Sequence, residues 1–561
     1  MNSAGLSDLV RTLLKNRGVD EDGIEAFLSP DYELHTHSPF LFSGMDVAAQ
    51  RVLQAITAEE RIAIYADFDC DGIPGAAVLS DLFQKIGYEN VEVYLPHRDL
   101  EGYGFHKEAI ATLAERGVKL IITVDVGTTA VESVRYAKEK GIDTIVTDHH
   151  EIPAPPAGGL PAAVAVLNPK IAPYPFPHLC GAAVAYKLAQ ALLQKGRDTG
   201  DIRFAHIPTG WEKWLLDLVA IATVADMVPL IGENRVLAHW GLTVLRKSQR
   251  PGIIALCTKL RLRKWELTED DIGFSIAPRI NAASRMDNPD LALRLLTTKY
   301  IPEAEMLAAQ LEKLNASRKG VVAAIVREAR KRTQERFAPG EVVVLGNPEW
   351  KPSLLGLAAN SIMSERGGVV CLWGRDAHGR IKGSCRSDGN ISVVELFTAA
   401  SSAFSEYGGH AASGGFSVIT EEVHALPETL AKAALSLKGV EKEREVRGHD
   451  ALVTLREVDM PLYRDISLLA PFGVGNPKPI FRLARVTVAG TKRFGKESNH
   501  VEVTLSCAET NSSARAFDFF RAPEDFTYAP ATDSDATILA TIERDTFRGG
   551  LALRLIDILP A

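Results

Sequence analysis

Cysteine is scarce and scattered: the six thiols, Cys70, Cys180, Cys257, Cys371, Cys385 and Cys507, include no Cys-x-x-Cys pair. Neither a disulfide framework nor a thiolate zinc site is encoded, and a reducing compartment is expected. Long apolar runs are absent too. The longest, 215–231, is broken by Asp217 and Asp226 and is too short to cross a bilayer. The start MNSAGLSDLV lacks the basic-then-apolar layout of a secretion signal, so the cytoplasm is the expected location and no membrane partner is expected. There is no internal repeat, no low-complexity segment and no excess of positive charge. With 63 Lys and Arg against 71 Asp and Glu, the net charge of -8 excludes a uniformly basic nucleic-acid coat while leaving room for local basic tracts. What is present is ordinary for a folded chain: 46% hydrophobic and 24% charged residues over 561 positions. That length predicts three or four domains at about 100–200 residues each.

After a polar lead-in, 1–44, short β-rich apolar runs at 61–69, 91–95, 119–125, 143–148 and 162–167 alternate with helical stretches through 45–233. Such runs read as strands of a parallel sheet buried on both faces. Helices are predicted at 74–86, where Pro74 suits a first turn, and at 129–140, ahead of Gly141. Over 234–340 the strand signal disappears, and charged helical periodicity predicts a helical connector. A smaller α/β domain, 341–440, has strands at 342–346 and 369–373, a helix at 353–365, and glycine-rich turns at Gly408-Gly409-His410 and Gly414-Gly415. The charged run 438–447 then leads into short strands at 451–455, 481–489, 500–506, 514–519, 536–542 and 551–559. Within 446–561 they predict a small β-barrel of the oligonucleotide-binding (OB) type.

The sharpest chemical signal is Asp67-Phe68-Asp69-Cys70-Asp71-Gly72, with a carboxylate at every second residue where a strand ends. Three like charges there repel unless a cation joins them. A calcium loop also opens Asp-x-Asp-x-Asp-Gly, but its twelfth position would be Val78 rather than glutamate, and a strand rather than a helix precedes it. Two more strands end in Asp125 and in Asp148-His149-His150. Because the carboxyl ends of parallel strands share one edge, these groups converge in one crevice. Asp226 closes an apolar helix-like run and, alone, reads as a helix-end aspartate. A carboxylate-rich pocket with an imidazole suits a two-metal hydrolase, in which one ion activates water and both neutralise phosphoryl charge. Oxygen ligands favour magnesium, an added histidine shifts the preference to manganese, and zinc is disfavoured for want of thiolates.

Asp67-x-Asp69-x-Asp71-Gly72, Asp125, Asp148-His149-His150 and Asp226 resemble the motifs of the DHH phosphoesterase superfamily. Within it, 276–286 (IAPRINAASRM) resembles the connector motif of the RecJ family, single-strand-specific 5′ to 3′ DNA exonucleases. Lys382-Gly383-Ser384-Cys385-Arg386-Ser387 and Gly408-Gly409-His410 are similar to its DHHA1-type lobe, and 471–477 (PFGVGNP) to the entry of its OB domain. The resemblance runs in family order over about residues 45 to 561. It implies an α/β multidomain fold with a parallel-sheet DHH domain, a helical connector, a smaller α/β DHHA1-type domain and a C-terminal OB-like β-barrel. It also implies that Asp69 and Asp125 bind one ion with Asp67 beside it, and that Asp71, Asp125, His149 and Asp226 bind the other. Asp148 would orient the imidazole of His149, and His150 would face the phosphate. The family pattern is left at Ile73-Pro74-Gly75, Val126 and Ser284, none of them an expected ligand.

Further expectations concern substrate. Arg279, Asn281 and Arg285 of the connector motif are assigned to substrate, the arginines as forked phosphate contacts. His410, between flexible glycines, is placed at the scissile phosphate, and Ser384 and Arg386 at the terminal one. From Lys478 to Lys496 there are cations and no acid: Lys478, Arg482, Arg485, Lys492, Arg493 and Lys496, with Phe481 and Phe494 interleaved as stacking candidates. A second basic tract, Lys313 to Arg336, reads equally well as a solvated helix face. Together these describe an exonuclease that degrades single-stranded DNA 5′ to 3′ to 5′-mononucleotides in recombination and repair. It would hold two Mn2+ ions, with Mg2+ as alternative, and have single-strand-binding protein or a repair helicase as candidate partners. A DHH phosphodiesterase acting on short oligonucleotides or cyclic dinucleotides has no need of the barrel, and a non-catalytic replication scaffold has no need of the intact carboxylates.

Overall fold

The computed structural model describes residues 5–152, 159–338, 340–437, 448–495, 498–545 and 548–561. The charged run 438–447 and Lys496 lie outside them. The chain divides into two compact units, one of residues 37–228 and 240–443, the other of 1–36, 229–239 and 444–561.

The larger unit begins with a five-stranded parallel sheet of β1 (Arg61–Ala66), β2 (Val91–Tyr94), β3 (Val118–Val124), β4 (Asp143–Thr147) and β5 (Ala165–Leu167), in the order β2-β1-β3-β4-β5. The central strands are apolar at nearly every position because both faces are covered, with Ile62, Ala63, Ile64, Ile121, Ile122 and Ile145 all fully buried. Three helices flank the crevice edge of this sheet: α1 (Gly72–Lys85), α2 (Gly181–Asp198) and α3 (Leu216–Ala225). Pro74 occupies the first turn of α1, where a missing N–H costs nothing. The departures from the family pattern are packing features. A Cβ on Gly75 would stand 2.5 Å from Val124 Cγ1 and 3.0 Å from Ala182 Cα, so glycine lets α1 approach β3 and α2 closely. Val126 and Ser284 are both buried.

The connector is helical as expected, and includes a π-helical turn at 272–276, α4 (Ala277–Met286) and the long α5 (Ile301–Arg336). Beyond it lies a mixed sheet, β6 (Val343–Gly346), β7 (Val369–Arg375), β8 (Ile381–Ser387), β9 (Phe404–His410) and β10 (Ser413–Val418), in the order β6-β7-β8-β10-β9, with α6 (Pro352–Arg366) packed on it. One expectation is corrected here: Gly408, Gly409 and His410 end strand β9, and Gly414 and Gly415 sit in β10, rather than forming turns. These glycines are strand residues because the antiparallel pair is tightly apposed, a Cβ on Gly409 meeting the Ser413 carbonyl at 2.3 Å.

The smaller unit is a closed barrel of β12 (Phe481–Phe494), β13 (His500–Cys507), β14 (Ser512–Asp518), β15 (Ser534–Arg544) and β16 (Leu551–Pro560), with the short β11 (Ala451–Leu452) beside β12. The long β12 pairs with both β13 and β15, shifting register between Leu483 and Val486 and between Val488 and Gly490, and β14 runs parallel to β16. Those bulges let one strand turn the corner that closure requires. The lead-in is less polar in role than in composition: Val10, Leu13, Leu14 and Ile24 belong to the same core cluster as Phe481, Leu483, Val503 and Ile538.

Candidate active site

Each strand-end motif lands on the crevice edge, and local geometry explains how. Asp69 caps the turn after β1, accepting N–H bonds from Asp71 (2.8 Å) and Gly72 (3.1 Å). Asp71 is almost completely buried and accepts the N–H groups of Gly181 (2.6 Å) and Ala182 (2.7 Å), unpaired donors of the first turn of α2. Asp125 follows β3 in a left-handed conformation, φ 61°, and α2 passes so close that a Cβ on Gly181 would lie 2.5 Å from Asp125 Cβ. His149 Nε2 faces Asp125 (3.2 Å), Asp71 (3.6 Å) and Asp226 (3.6 Å), the last standing at the C-terminus of α3.

Three sets of atoms come close enough to share a cation: Asp67, Asp69 and Asp125; Asp71, His149 and Asp226; and Asp125, His149 and His150. Asp67 Oδ1 and Asp125 Oδ1 are buried without a hydrogen-bond partner. Burial, then the Asp69 carboxylate, pushes Asp71 up to about 7. Burial, then Asp71 and Asp69, pushes Asp226 up to about 9. Asp67 and Asp125 are driven well above the carboxylate range by burial first and neighbouring carboxylates second. Burial and then His150 press His149 down to about 4, leaving a neutral ring with a lone pair to donate. Four carboxylates held in place with one neutral imidazole, two oxygens unsatisfied, make a donor set suited to divalent manganese or magnesium.

Asp148 differs from expectation. Its carboxylate accepts the His150 ring Nδ1 (2.7 Å) and the backbone N–H groups of Thr128 (2.7 Å) and His149 (2.7 Å), so it orients the ring of His150 and not that of His149. Burial opposes its ionisation, but the His150 and Thr128 bonds prevail and hold it below the usual range. Burial likewise opposes charge on His150, and the Asp148 hydrogen bond outweighs it and raises that ring. Asn168 Nδ2 donates to the His150 carbonyl (2.9 Å), and Tyr103 Oη lies 3.3 Å from the ring.

The connector residues separate into distinct tasks. Arg279 is engaged by Glu312 (2.7 Å) and by the Ser275 carbonyl (3.1 Å), so its fork is already occupied. Asn281 Oδ1 accepts the Cys70 N–H (3.0 Å), which ties α4 to the first aspartate motif. Arg285 donates to the Ser353 carbonyl (2.6 Å) and is pushed down to about 9 by burial and then by Arg98 and Arg318, with Arg386 adding to the effect. Arg98 lies over the Phe68 ring (4.6 Å), Arg318 Nε is buried without a partner, and Arg386 on β8 spends one nitrogen on its neighbour's carbonyl, Cys385 (2.7 Å). Four guanidinium groups crowded beside Asp67 and Asp69 form an anion cradle. Arg98 and Arg318 carry no spacing signal in the sequence. Ser384 is half-buried on β8, and His410, exposed at the end of β9, lies within electrostatic reach of Glu151.

On the barrel, Phe481 is fully buried in the core and cannot stack on a base, so that expectation is corrected. Lys478 pairs with Glu543 (2.9 Å) and Arg493 with Glu524 (2.6 Å), while Lys492 is exposed. Phe494 is half-buried in an aromatic group with His500 (5.1 Å between centroids) and Phe519 (5.9 Å). Phe520 is 72% exposed beside them, and Arg554 lies over the Phe519 ring (4.5 Å). The interleaving of aromatic and basic residues in 515–521 (RAFDFFR) is the sequence signal that marks this face, and the reading of 478–496 missed it.

Three family models match the chain: the DHH family N-terminal domain over residues 61–223, the DHHA1 domain over 340–436 and the RecJ OB domain over 449–556. The single-stranded-DNA-specific exonuclease RecJ of Bacillus subtilis (strain 168) is 33% identical over 503 residues, covering 89% of this chain and 62% of that protein, so the chain spans less than two thirds of that relative's length. The protein of the same name from Haemophilus influenzae is 30% identical over 530 residues, covering 92% of this chain and 91% of that one. The crystal structure of RecJ from Thermus thermophilus in complex with Mn2+ matches with a TM-score of 0.80 at 26% identity, over 99% of this chain and 76% of that chain.

Proposed function

The chain belongs to the RecJ family of single-stranded-DNA-specific exonucleases, and from that membership we propose that it hydrolyses single-stranded DNA from the 5′ end to 5′-mononucleotides, in recombination and DNA repair in the cytoplasm. The observation that carries the catalytic part is the buried convergence of carboxylates in which Asp67 Oδ1 and Asp125 Oδ1 find no donor, an arrangement that calls for cations. Asp69 and Asp125, with Asp67 beside them, are assigned to one Mn2+, and Asp71, Asp125, His149 and Asp226 to a second, with Mg2+ as the alternative metal. Bound there, the ions would supply an acidified water and neutralise charge on the phosphoryl group.

The chain's own groups do the positioning. The α2 amides fix Asp71, Asn281 fixes the turn that carries Asp69 and Asp71, and Asp148 holds the charged His150 ring toward the phosphate. Arg98, Arg285, Arg318, Arg386 and Ser384 are proposed to hold the terminal phosphate, and His410 to meet the scissile one. Lys478, Lys492, Arg493 and Phe494, joined by Phe519 and Phe520, are proposed to hold the strand on the barrel, and single-strand-binding protein or a repair helicase to act as partner. Among the described residues no helix is long and apolar enough to cross a membrane. The test is Asp125→Ala, assayed on single-stranded DNA with Mn2+: turnover should be abolished while circular dichroism is unchanged, and near-wild-type turnover would refute the assignment.

A further inference from the structure

The helices that present the carboxylates also build a cleft at their far ends. The 14 residues of α1 carry the chain about 20 Å from Asp71 to Lys85, and α3, which ends at Asp226, begins just after Trp211 and Trp214. Where these ends meet the turn before residue 251, a cleft of about 680 Å³ is lined by Gln84, Lys85, Trp211, Trp214, Gln249 and Lys299. Its acids are already spoken for: Arg250 pairs with both Asp81 and Asp217, and Lys299 reaches Asp81 at 3.2 Å. Lys85 has no carboxylate partner among the described residues and rests 5.8 Å over the Trp211 ring, while Trp214 is 54% exposed.

The surroundings are both basic and apolar. From Arg246 to Lys264 the sequence holds seven lysines and arginines and no acid. Lys264 donates to the carbonyls of Arg246 and Ser248 (2.9 Å each), which sets the exposed Trp265 next to the cleft, and the exposed Tyr300 and Ile301 directly follow Lys299. Exposed aromatic groups clustered around a concave site, ringed by cations, are the composition of a binding hot spot and not of a solvated face.

We propose that this cleft docks an acidic peptide segment of a partner protein, with one large apolar side chain seated against Trp211 and Trp214 and its carboxylates facing Lys85, Lys299 and the 246–264 cations. Charge complementarity selects the acidic partner. Peptide is favoured over nucleic acid because the cleft sits at the opposite ends of α1 and α3 from the carboxylates, and Asp81 and Asp217 in its floor would face phosphate oxygens. The test uses the full-length chain and a fluorescein-labelled octapeptide of Asp and Glu ending in Phe, read by polarisation. Its controls are a Lys-for-acid peptide, a Phe→Ala peptide and a single-stranded oligonucleotide competitor. Binding should weaken with salt and fall at least about tenfold in Trp214→Ala and, independently, in Lys85→Glu, with cleavage of a short oligonucleotide unchanged in both. Equal affinity in the variants, equal binding of the basic peptide, or displacement by the oligonucleotide would overturn the proposal, the last by making the cleft part of the strand path.

Discussion

At the scale of single residues, the crevice is a place where charge has been buried ahead of its partner. Asp71 at about 7 and Asp226 at about 9, against an ordinary 3.8, measure how unwelcome ionisation is without a cation. A carboxylate whose folded-state value is raised contributes stability that is complete below its unfolded value and is lost as pH rises through the folded one. The chelated protein is therefore expected to lose thermal stability steadily between about pH 4 and pH 9, and Mn2+ to raise the melting temperature most at the alkaline end. Differential scanning fluorimetry with and without chelator checks this, and a flat profile in chelator contradicts it. The aspartates and His149 were legible beforehand because strand-end residues of a parallel sheet share an edge, whatever the rest of the fold does. The Asp148–His150 bond was not, since either of two adjacent rings could have met that carboxylate and only the turn at 148–150, held by Thr128 and Asn168, decides between them.

At the scale of elements, precision comes from close approach. Gly181→Ala places a methyl against the Asp125 backbone, so α2 must shift, and the amides that hold Asp71 move with it. The expected result is a stability loss of about 1–3 kcal/mol in denaturant titration with a much larger fractional loss of turnover. Turnover that tracks only the folded fraction would contradict it. On the barrel, two phenylalanines are expected to behave oppositely. Phe481→Ala should cost about 3–5 kcal/mol of stability by leaving a core cavity. Phe520→Ala should leave the melting temperature unchanged and weaken single-strand affinity by about 1–3 kcal/mol, read by anisotropy. Alternation along 481–494 could not separate these roles in advance, because β12 changes register twice and its inward and outward faces change with it. The glycines of β9 and β10 were misleading for a related reason: turn chemistry and tight strand apposition both select glycine.

At the scale of the whole molecule, domain order was readable from the succession of strand and helix periods, whereas the membership of residues 5–36 in the barrel's unit was not. Their contacts with it are separated by hundreds of residues, as in Ser7 to Asp465 and Arg17 to Asn476. Removing the barrel would therefore strip the packing from Val10, Leu13 and Leu14, and point variants such as Phe520→Ala report on strand holding more cleanly than truncation does. The central claim is directional, metal-dependent hydrolysis of single strands, and one measurement addresses it most directly. Single-stranded DNA, labelled along its length and blocked at either the 5′ or the 3′ end, is incubated with the chelated protein before and after Mn2+ or Mg2+ is restored. The account predicts no cleavage in chelator, mononucleotides from the 3′-blocked strand once metal returns, faster with Mn2+ at equal low concentration, and none from the 5′-blocked strand. Cleavage that survives exhaustive chelation, or that proceeds from the 3′ end, would contradict it.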